Sequence, residues 1–258
     1  MLKKKIAIIG YGIVGRNVYD EMKSCNRYEI TIIDPKRDDY LETINRVYDF
    51  GFVCVPTDMK TDGACDTSIV EKAICDTNCQ LYIVKSTVPP GTCDELAERF
   101  NKRIVFSPEY YGLTKDACRH LGFVILGGEP YDINEVAKLY SYSMPGNFRV
   151  HFTSRKTAEL VKYMLNSFLA MKVTFCNEFA TLAKSIGVNY PELRELFILD
   201  ERIGSSHTLV YDEQPFYDSH CFNKDIPAII KYAEELKIQI PILSSIYNEN
   251  TRRKHIKN

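Results

Sequence analysis

Neither charge is in excess in this sequence. Lys and Arg number 33 against 34 Asp and Glu, a net charge of -1. Nothing global calls for nucleic acid or an anionic membrane surface as a partner, and a bound polyanion would need a local basic patch. No Cys-x-x-Cys occurs among the nine cysteines, at 25, 54, 65, 75, 79, 93, 118, 176 and 221. Zinc-ribbon and thioredoxin-type readings fail on that ground, and no metal site is expected. An odd number of scattered cysteines fits a reducing cytoplasm, the expected location. No apolar run approaches the ~18 residues of a membrane span. The start, MLKKKIAIIGYG, carries an apolar run from Ile6 to Ile9 that stops at Gly10, too short for the core of a signal peptide. There is no internal repeat and no low-complexity linker.

What remains is an ordinary globular composition, 45% hydrophobic and 26% charged over 258 residues. Such a chain buries a core without disulfides and holds one large domain or two small ones. Up to about residue 153 it alternates. Short apolar, β-branched runs stand at Ile6–Ile9, Ile30–Ile33, Phe50–Val55, Leu81–Val84, Ile104–Phe106 and Phe123–Leu126. Runs of this length bounded by Gly, Pro or Asp suit strands buried on both faces. Helix-like segments such as 14–24, 66–78 and 94–101 lie between them. The alternation predicts a parallel sheet wrapped by helices over residues 1–153.

Residues 154–258 read differently, as an all-α domain. From Arg155 to Ile186 there is neither Pro nor Gly. Leu160, Val161, Met164, Leu165, Phe168, Leu169, Phe175, Cys176, Phe179 and Ala180 recur at helical spacing. Gly187 is a natural stop. The spacing predicts one helix of about 30 residues, about 45 Å long. Its apolar stripe is too wide for the residues that follow to cover, so a two-fold partner laid against residues 160–186 is expected. Shorter helices follow: one opened by Pro191, one around Ile226–Leu236 and one around Ile242–Arg253. The basic tail from Arg252 is expected to fray.

Gly10-Tyr11-Gly12-Ile13-Val14-Gly15 is a GxGxxG motif that follows a predicted strand and opens a predicted helix. Asp34 closes the second strand about 20 residues further on, which makes the motif a dinucleotide-binding fingerprint of Rossmann type. Gly10 allows the tight turn, Gly12 lets the backbone approach a pyrophosphate, and Gly15 lets helix pack on strand. Asp34 should accept from the adenosine ribose hydroxyls, favouring NAD over NADP, although Lys36 and Arg37 are near enough to blunt that preference.

Five further segments follow in order: Val55-Pro56-Thr57; Ser86-Thr87-Val88-Pro89-Pro90-Gly91-Thr92; Ser107-Pro108-Glu109-Tyr110; Lys162-Tyr163-Met164-Leu165-Asn166; and Cys221-Phe222-Asn223-Lys224-Asp225. In this order and spacing the chain, from Ile6 to about Arg253, resembles the UDP-glucose/GDP-mannose 6-dehydrogenase family. The resemblance implies a Rossmann-type NAD-binding domain followed by an all-α dimerisation domain with a long central helix. It implies a two-step, NAD-dependent oxidation of the primary alcohol of a sugar nucleotide, most simply a UDP-sugar, to a carboxylate. Cys221 is then the nucleophile that holds the aldehyde as a thiohemiacetal and later a thioester. Lys162 and Asn166, one helical turn apart on one face, donate to the developing oxyanion. Asp225, with Thr87 through a shared water, is the base. Lys224 holds position or favours the thiolate, and Glu109 is a candidate for water activation. Val55, Pro56, Thr57, Ser86 and Thr87 join Gly10–Gly15 and Asp34 at the cofactor. Glu109, Tyr110, Lys162, Asn166, Arg202 and Tyr217 face the substrate, Arg202 from across a homodimer. His220 is expected to be a loop residue rather than a base.

Three departures from the family bear on the substrate. The family's glycine-rich PGFGGSC loop is here Pro215-Phe216-Tyr217-Asp218-Ser219-His220-Cys221. The further Glu that follows the family's SPEF glutamate is replaced by Leu113. Family members also carry a C-terminal α/β domain, and the sequence to Asn258 reaches only the helix that would lead into it. Two alternatives therefore stand beside the two-step enzyme. A one-step β-hydroxyacid dehydrogenase also combines GxGxxG with a helix-borne Lys and an Asn one turn later, but needs neither Cys221 nor Lys224-Asp225. A non-catalytic NAD-binding dimer needs none of the chemistry.

Overall fold

The apolar runs form strands because each can be buried on both faces. In a computed structural model that describes residues 3–110, 122–144, 146 and 148–257, the first part of the chain runs as follows: β1 (Lys4–Ile9), α1 (Ile13–Met22), β2 (Tyr28–Ile33), α2 (Tyr40–Ile44), β3 (Val47–Val53), α3 (Ser68–Asp76), β4 (Asn78–Val84), α4 (Thr92–Phe100), β5 (Ile104–Phe106), β6 (Phe123–Gly127), α5 (Pro130–Ser143) and β7 (Arg149–Thr153). The helical part follows as α6 (Arg155–Ser185), α7 (Tyr190–Phe197), α8 (His220–Glu235) and α9 (Pro241–Lys257). Leu113 and Cys118 lie outside the described residues.

The strands make one seven-stranded sheet in the order β2-β1-β3-β4-β5-β6-β7. Alternation along β1 sorts its side chains. Ile6 and Ile8 join one core layer with Val18 and Met22 of α1 and Val136 and Tyr140 of α5. Ala7 and Ile9 join the other, with Val70 and Ile74 of α3 and Cys93 and Leu96 of α4. Helices on both faces explain why the runs are apolar throughout rather than alternating.

The sheet departs from the all-parallel expectation at one seam. β5 and β6 are antiparallel, through the pair Phe106 and Gly127. Antiparallel neighbours need no helical crossover, whereas β6 and β7 are parallel and joined through α5. Three elements go beyond the sequence expectation. β7 is an edge strand with little burial to mark it, and α2 has only five residues. α5 starts on Pro130 and buries Ile133, Val136, Leu139 and Tyr140, a helical spacing diluted by polar residues and Tyr.

The described chain divides into two compact units within α6. One runs to Asp58 and resumes over Cys65–Lys162; the other comprises Met59–Ala64 and the chain from Tyr163 onward. In the second unit Gly187, at φ +75°, ends α6, and the Val188 N–H closes the turn on the Ala183 C=O at 2.8 Å. Asn189 caps α7 by accepting the Glu192 N–H at 3.0 Å, and Ser219 caps α8 by accepting the Phe222 N–H at 3.1 Å. The expected fraying of the tail is not found. α9 stays helical to Lys257, with Arg252 and Arg253 both paired to Glu249 at 2.7 Å. Among the described residues no helix is long and apolar enough to cross a membrane.

The start of α6, which belongs to the sheet unit, is held on α4 by a buried carboxylate. Glu159, with no exposed surface, accepts the Gly91 N–H at 2.5 Å and the Cys93 N–H at 2.9 Å. These are donors at the start of α4 that the helix itself cannot satisfy. Glu159→Ala should cost about 1–3 kcal/mol for each N–H left buried and unpaired, and Glu159→Gln less. Thermal melts of the two variants check this, and an alanine variant that melts with the wild type would defeat the capping role.

Candidate active site

The strand order reverses at β1, which lies between β2 and β3. In open α/β sheets the crevice at the carboxyl ends of strands beside such a switch point is where ligands bind. Four loops leave the sheet at that edge: Gly10–Gly12 after β1, Cys54–Thr57 after β3, Lys85–Pro89 after β4 and Ser107–Tyr110 after β5.

The glycine motif divides by cause. Gly10 has φ +88°, and a Cβ there would stand 2.7 Å from the Cys54 carbonyl oxygen. A Cβ on Gly15 would reach 2.0 Å from the Gly10 oxygen, so α1 packs on the turn only because residue 15 is glycine. A Cβ on Gly12 would meet no protein atom within 4 Å. Internal packing therefore does not require glycine at 12, while close approach of a phosphate to the backbone does. No side chain caps the start of α1 and no acidic residue lies in its first turn, which leaves its N–H groups suited to an anion. Ile13 is exposed beside them, and Tyr11 and Val14 pack against the core layer. Asp34 Oδ2 accepts the Tyr11 N–H at 2.8 Å and Oδ1 the Lys36 N–H at 3.0 Å, placing the carboxylate beside the motif. Arg37 is paired with Asp39 at 3.0 Å. The residues present fit a dinucleotide.

The neighbouring loops are stitched together by side chains. Ser86 Oγ donates to the Val55 C=O at 2.7 Å, so the β4 exit holds the Val55-Pro56-Thr57 loop. Thr57, Ser86 and Thr87 are buried and Pro56 is exposed. The Thr87 C=O accepts from the Cys65 thiol at 3.7 Å. Lys85, which sequence reasoning passed over, is buried, with Nζ 3.1 Å from Ser107 Oγ and 5.3 Å from the Tyr140 ring centre. The signal for it was a lysine directly closing the apolar run of β4. Beyond β5, Lys162 Nζ donates to the Glu109 C=O at 2.7 Å and pairs with its carboxylate at 2.8 Å, both side chains buried. The Tyr110 ring lies 5.8 Å from that amine, and burial pushes its phenol up to about 12.

In the helical unit Asn166 Nδ2 donates to Asp225 Oδ2 at 2.6 Å, and Lys224 Nζ meets Asp225 Oδ1 at 2.6 Å. Asp225 is only 2% exposed. α8 starts six residues earlier than the expected Ile226, at His220, so His220 is helical rather than the expected loop residue, and Cys221 stands in the first turn, half-buried. His220 opens the helix. The turn of N–H groups at a helix start favours negative charge, which suits a thiolate. Of the other described cysteines, Cys54, Cys79, Cys93 and Cys176 are buried, and burial pushes the thiols of Cys54 and Cys79 up to about 12. Tyr217 lies in the core of this unit, its ring 5.7 Å from Phe222 and its phenol raised by burial. Arg202 is 88% exposed and paired with Asp200. No group of three or more metal-ligating side chains occurs among the described residues.

Two family models match the chain. The NAD binding domain of the UDP-glucose/GDP-mannose dehydrogenase family matches residues 37–141, and the central domain of the same family matches residues 156–252. The chain belongs to the UDP-glucose/GDP-mannose dehydrogenase family. It is 30% identical over 281 aligned residues to the UDP-glucose 6-dehydrogenase of Rickettsia prowazekii, covering 95% of this chain and 63% of the relative's length. The chain thus spans under two thirds of that enzyme. A UDP-glucose dehydrogenase structure from Pyrobaculum islandicum superposes with a TM-score of 0.80 at 23% identity, over 97% of this chain and 68% of the other. A 3-hydroxyisobutyrate dehydrogenase from Mycobacterium tuberculosis superposes with a TM-score of 0.72 at 15% identity, over 96% of this chain and 92% of that one. These two likenesses speak for the fold alone. The family's cofactor is NAD, and the first unit carries its binding domain.

Asp34→Ala should weaken NAD binding by about 1.5–3 kcal/mol, the worth of a hydrogen bond to a charged acceptor. Calorimetric titration measures it, and unchanged affinity would remove Asp34 from the cofactor site.

Proposed function

We propose that the chain is an NAD-dependent nucleotide-sugar 6-dehydrogenase that oxidises the primary alcohol of a UDP-sugar to a carboxylate in two steps. The observation that carries this reading is the first two turns of α8. They hold Cys221, Lys224 and Asp225 together, with Asp225 hydrogen-bonded to Asn166 of α6. A one-step hydroxyacid oxidation needs the helix-borne lysine and asparagine but has no use for a thiol.

NAD would be held at Gly10–Gly15 and Asp34, with Val55, Pro56, Thr57, Ser86 and Thr87 on the adjoining loops, and would supply the hydride acceptor for each oxidation. Asp225 takes the hydroxyl proton of the alcohol as the aldehyde forms. The Cys221 thiolate then adds to the aldehyde carbon, and the new alkoxide is stabilised by the donors Lys162 and Asn166. Loss of the second hydride leaves a thioester. Water, deprotonated by Asp225 or Glu109, attacks the acyl carbon and releases the carboxylate and the thiol. Tyr110 and Arg202 are assigned to the substrate.

A second reading has a specific observation behind it. The superposition on a 3-hydroxyisobutyrate dehydrogenase covers 92% of that chain, so the fold described here makes up nearly the whole of that dehydrogenase. Stoichiometry separates the two. The two-step reading expects two NADH per nucleotide sugar, and Cys221→Ser should stall after the aldehyde or trap an ester, because an alkoxide leaves far less readily than a thiolate. Full carboxylate production by Cys221→Ala would defeat the thiol mechanism.

The active form is proposed to be a homodimer through residues 160–186. Phe168, Phe175, Phe179, Leu182 and Ile186 are each between 44% and 67% exposed, and Phe175 stacks on Phe179 at 4.7 Å. Monomers rarely leave so large an apolar patch in water. The interface should exceed the ~1,200 Å² floor of stable contacts. Light scattering that returns the mass of a single chain at micromolar concentration would refute it.

A further inference from the structure

The segment that leads into Cys221 is fastened from α9. Asn250 is buried, and its side-chain amide takes both backbone groups of Tyr217: Oδ1 accepts the N–H at 2.8 Å and Nδ2 donates to the C=O at 3.0 Å. One turn further along α9, Lys254 Nζ donates to Asn223 Oδ1 at 2.9 Å, pairs with Asp218 at 2.5 Å and stands 5.8 Å from the centre of the Phe216 ring. Asn223 Nδ2 donates to Asp218 at 2.8 Å, closing a three-membered network of Asp218, Asn223 and Lys254. Ser219 is occupied as the cap of α8. Each of the four consecutive residues Phe216 to Ser219 therefore has a fixed partner, and for three of them the partner is on α9.

Surface connections ordinarily leave their backbone groups to water. Here a buried amide takes them in both directions, and the chemistry-bearing group that follows is Cys221. The Tyr217 ring also packs against Phe222, the residue after Cys221. The Asp218 carboxyl is held below its usual range by hydrogen bonds from Lys254 and Asn223, so the ion pair persists through neutral pH.

We propose that Asn250 and Lys254 are positioning residues for the Cys221 thiol: they latch Phe216–Ser219 in one arrangement, and this fixes where the sulfur stands and how far it is open to attack. The proposal rests on the reading of Cys221 as the nucleophile. A thiol held half-buried in a fixed helical turn captures the aldehyde before it escapes. A thiol on a loosened segment is more accessible to small reagents but less often in place.

The test uses the full chain and does not depend on turnover. Cys221 is alkylated with iodoacetamide at pH 9, and its rate is followed by mass spectrometry of its peptide, in wild type, Asn250→Ala, Lys254→Met and Lys254→Arg. Loosening the latch should speed alkylation about fivefold in Asn250→Ala and Lys254→Met, as local opening becomes easier, while Lys254→Arg stays near wild type. If Asn250→Ala fails to fold, Lys254→Met decides. Alkylation of Lys254→Met within about twofold of wild type at an unchanged melting temperature overturns the latch. A second arm counts NADH per nucleotide sugar, which should fall below two in Lys254→Met as aldehyde is released. A wild type that produces no NADH with any nucleotide sugar overturns the nucleophile reading instead, and the alkylation arm still judges the latch.

Discussion

A carboxylate almost without access to water must be satisfied where it stands, and Asp225 imposes that constraint on the helical unit. With 2% of its surface exposed, it has the Asn166 amide on one oxygen and the Lys224 amine on the other. Removing Lys224 would leave the carboxylate's charge buried and uncompensated, which costs several kcal/mol, and removing Asn166 would leave one oxygen without its donor. The bond to Asn166 fixes the register of α8 on α6. Because Cys221 stands one turn before Asp225 on the same helix, the position of the thiol follows from that register. The latch from α9 then sets the approach of the chain to this turn.

The sheet unit obeys a plainer constraint. Its strands are apolar on both faces, so helices must cover both, and short crossovers place every β-to-α loop of the parallel part at one edge. Gly10, Val55, Ser86 and Glu109 are distant in sequence and meet there because parallel strands deliver their carboxyl ends to the same side. Ser86 and Lys85 complete the arrangement by bonding to the β3 exit and to Ser107. The edge is thus a set of loops held by hydroxyls and one amine rather than by further secondary structure.

Much of this was legible in the sequence, for physical reasons that differ from residue to residue. The GxGxxG turn and Asp34 could be read because backbone geometry demands glycine at fixed spacing, and spacing survives in one dimension. The length of α6 could be read because neither Pro nor Gly interrupts it. The antiparallel seam at β5 could not, since three apolar residues carry no direction. The start of α8 was placed too late because Cys221, Asn223 and Lys224 lack an apolar rhythm, and the Ser219 cap that begins the helix looks like any loop serine. Tyr217, expected at the substrate, packs into the core of the helical unit, a burial that the polar residues after it in sequence do not signal. Asn250 was invisible, because its role depends on a chain reversal that brings α9 back over residue 217.

Partnered lysine amines, two buried and one half-buried, recur in the two units. Lys85 meets Ser107, Lys162 meets Glu109 and Lys224 meets Asp225. None of these arrangements is a strong source of stability, because desolvating an amine costs about as much as its partner returns, and a well-packed apolar pair would hold the fold as well. Stability alone therefore does not account for three of them in one chain with ordinary apolar cores. Two of the three stand within the segments that resemble the catalytic segments of the family, and the third closes β4 immediately before Ser86 and Thr87. Partnered charges shielded from water are what a reaction needs as preorganised donors in a low-dielectric setting. By bonding Ser107, Lys85 sets the start of the loop that presents Glu109 to Lys162.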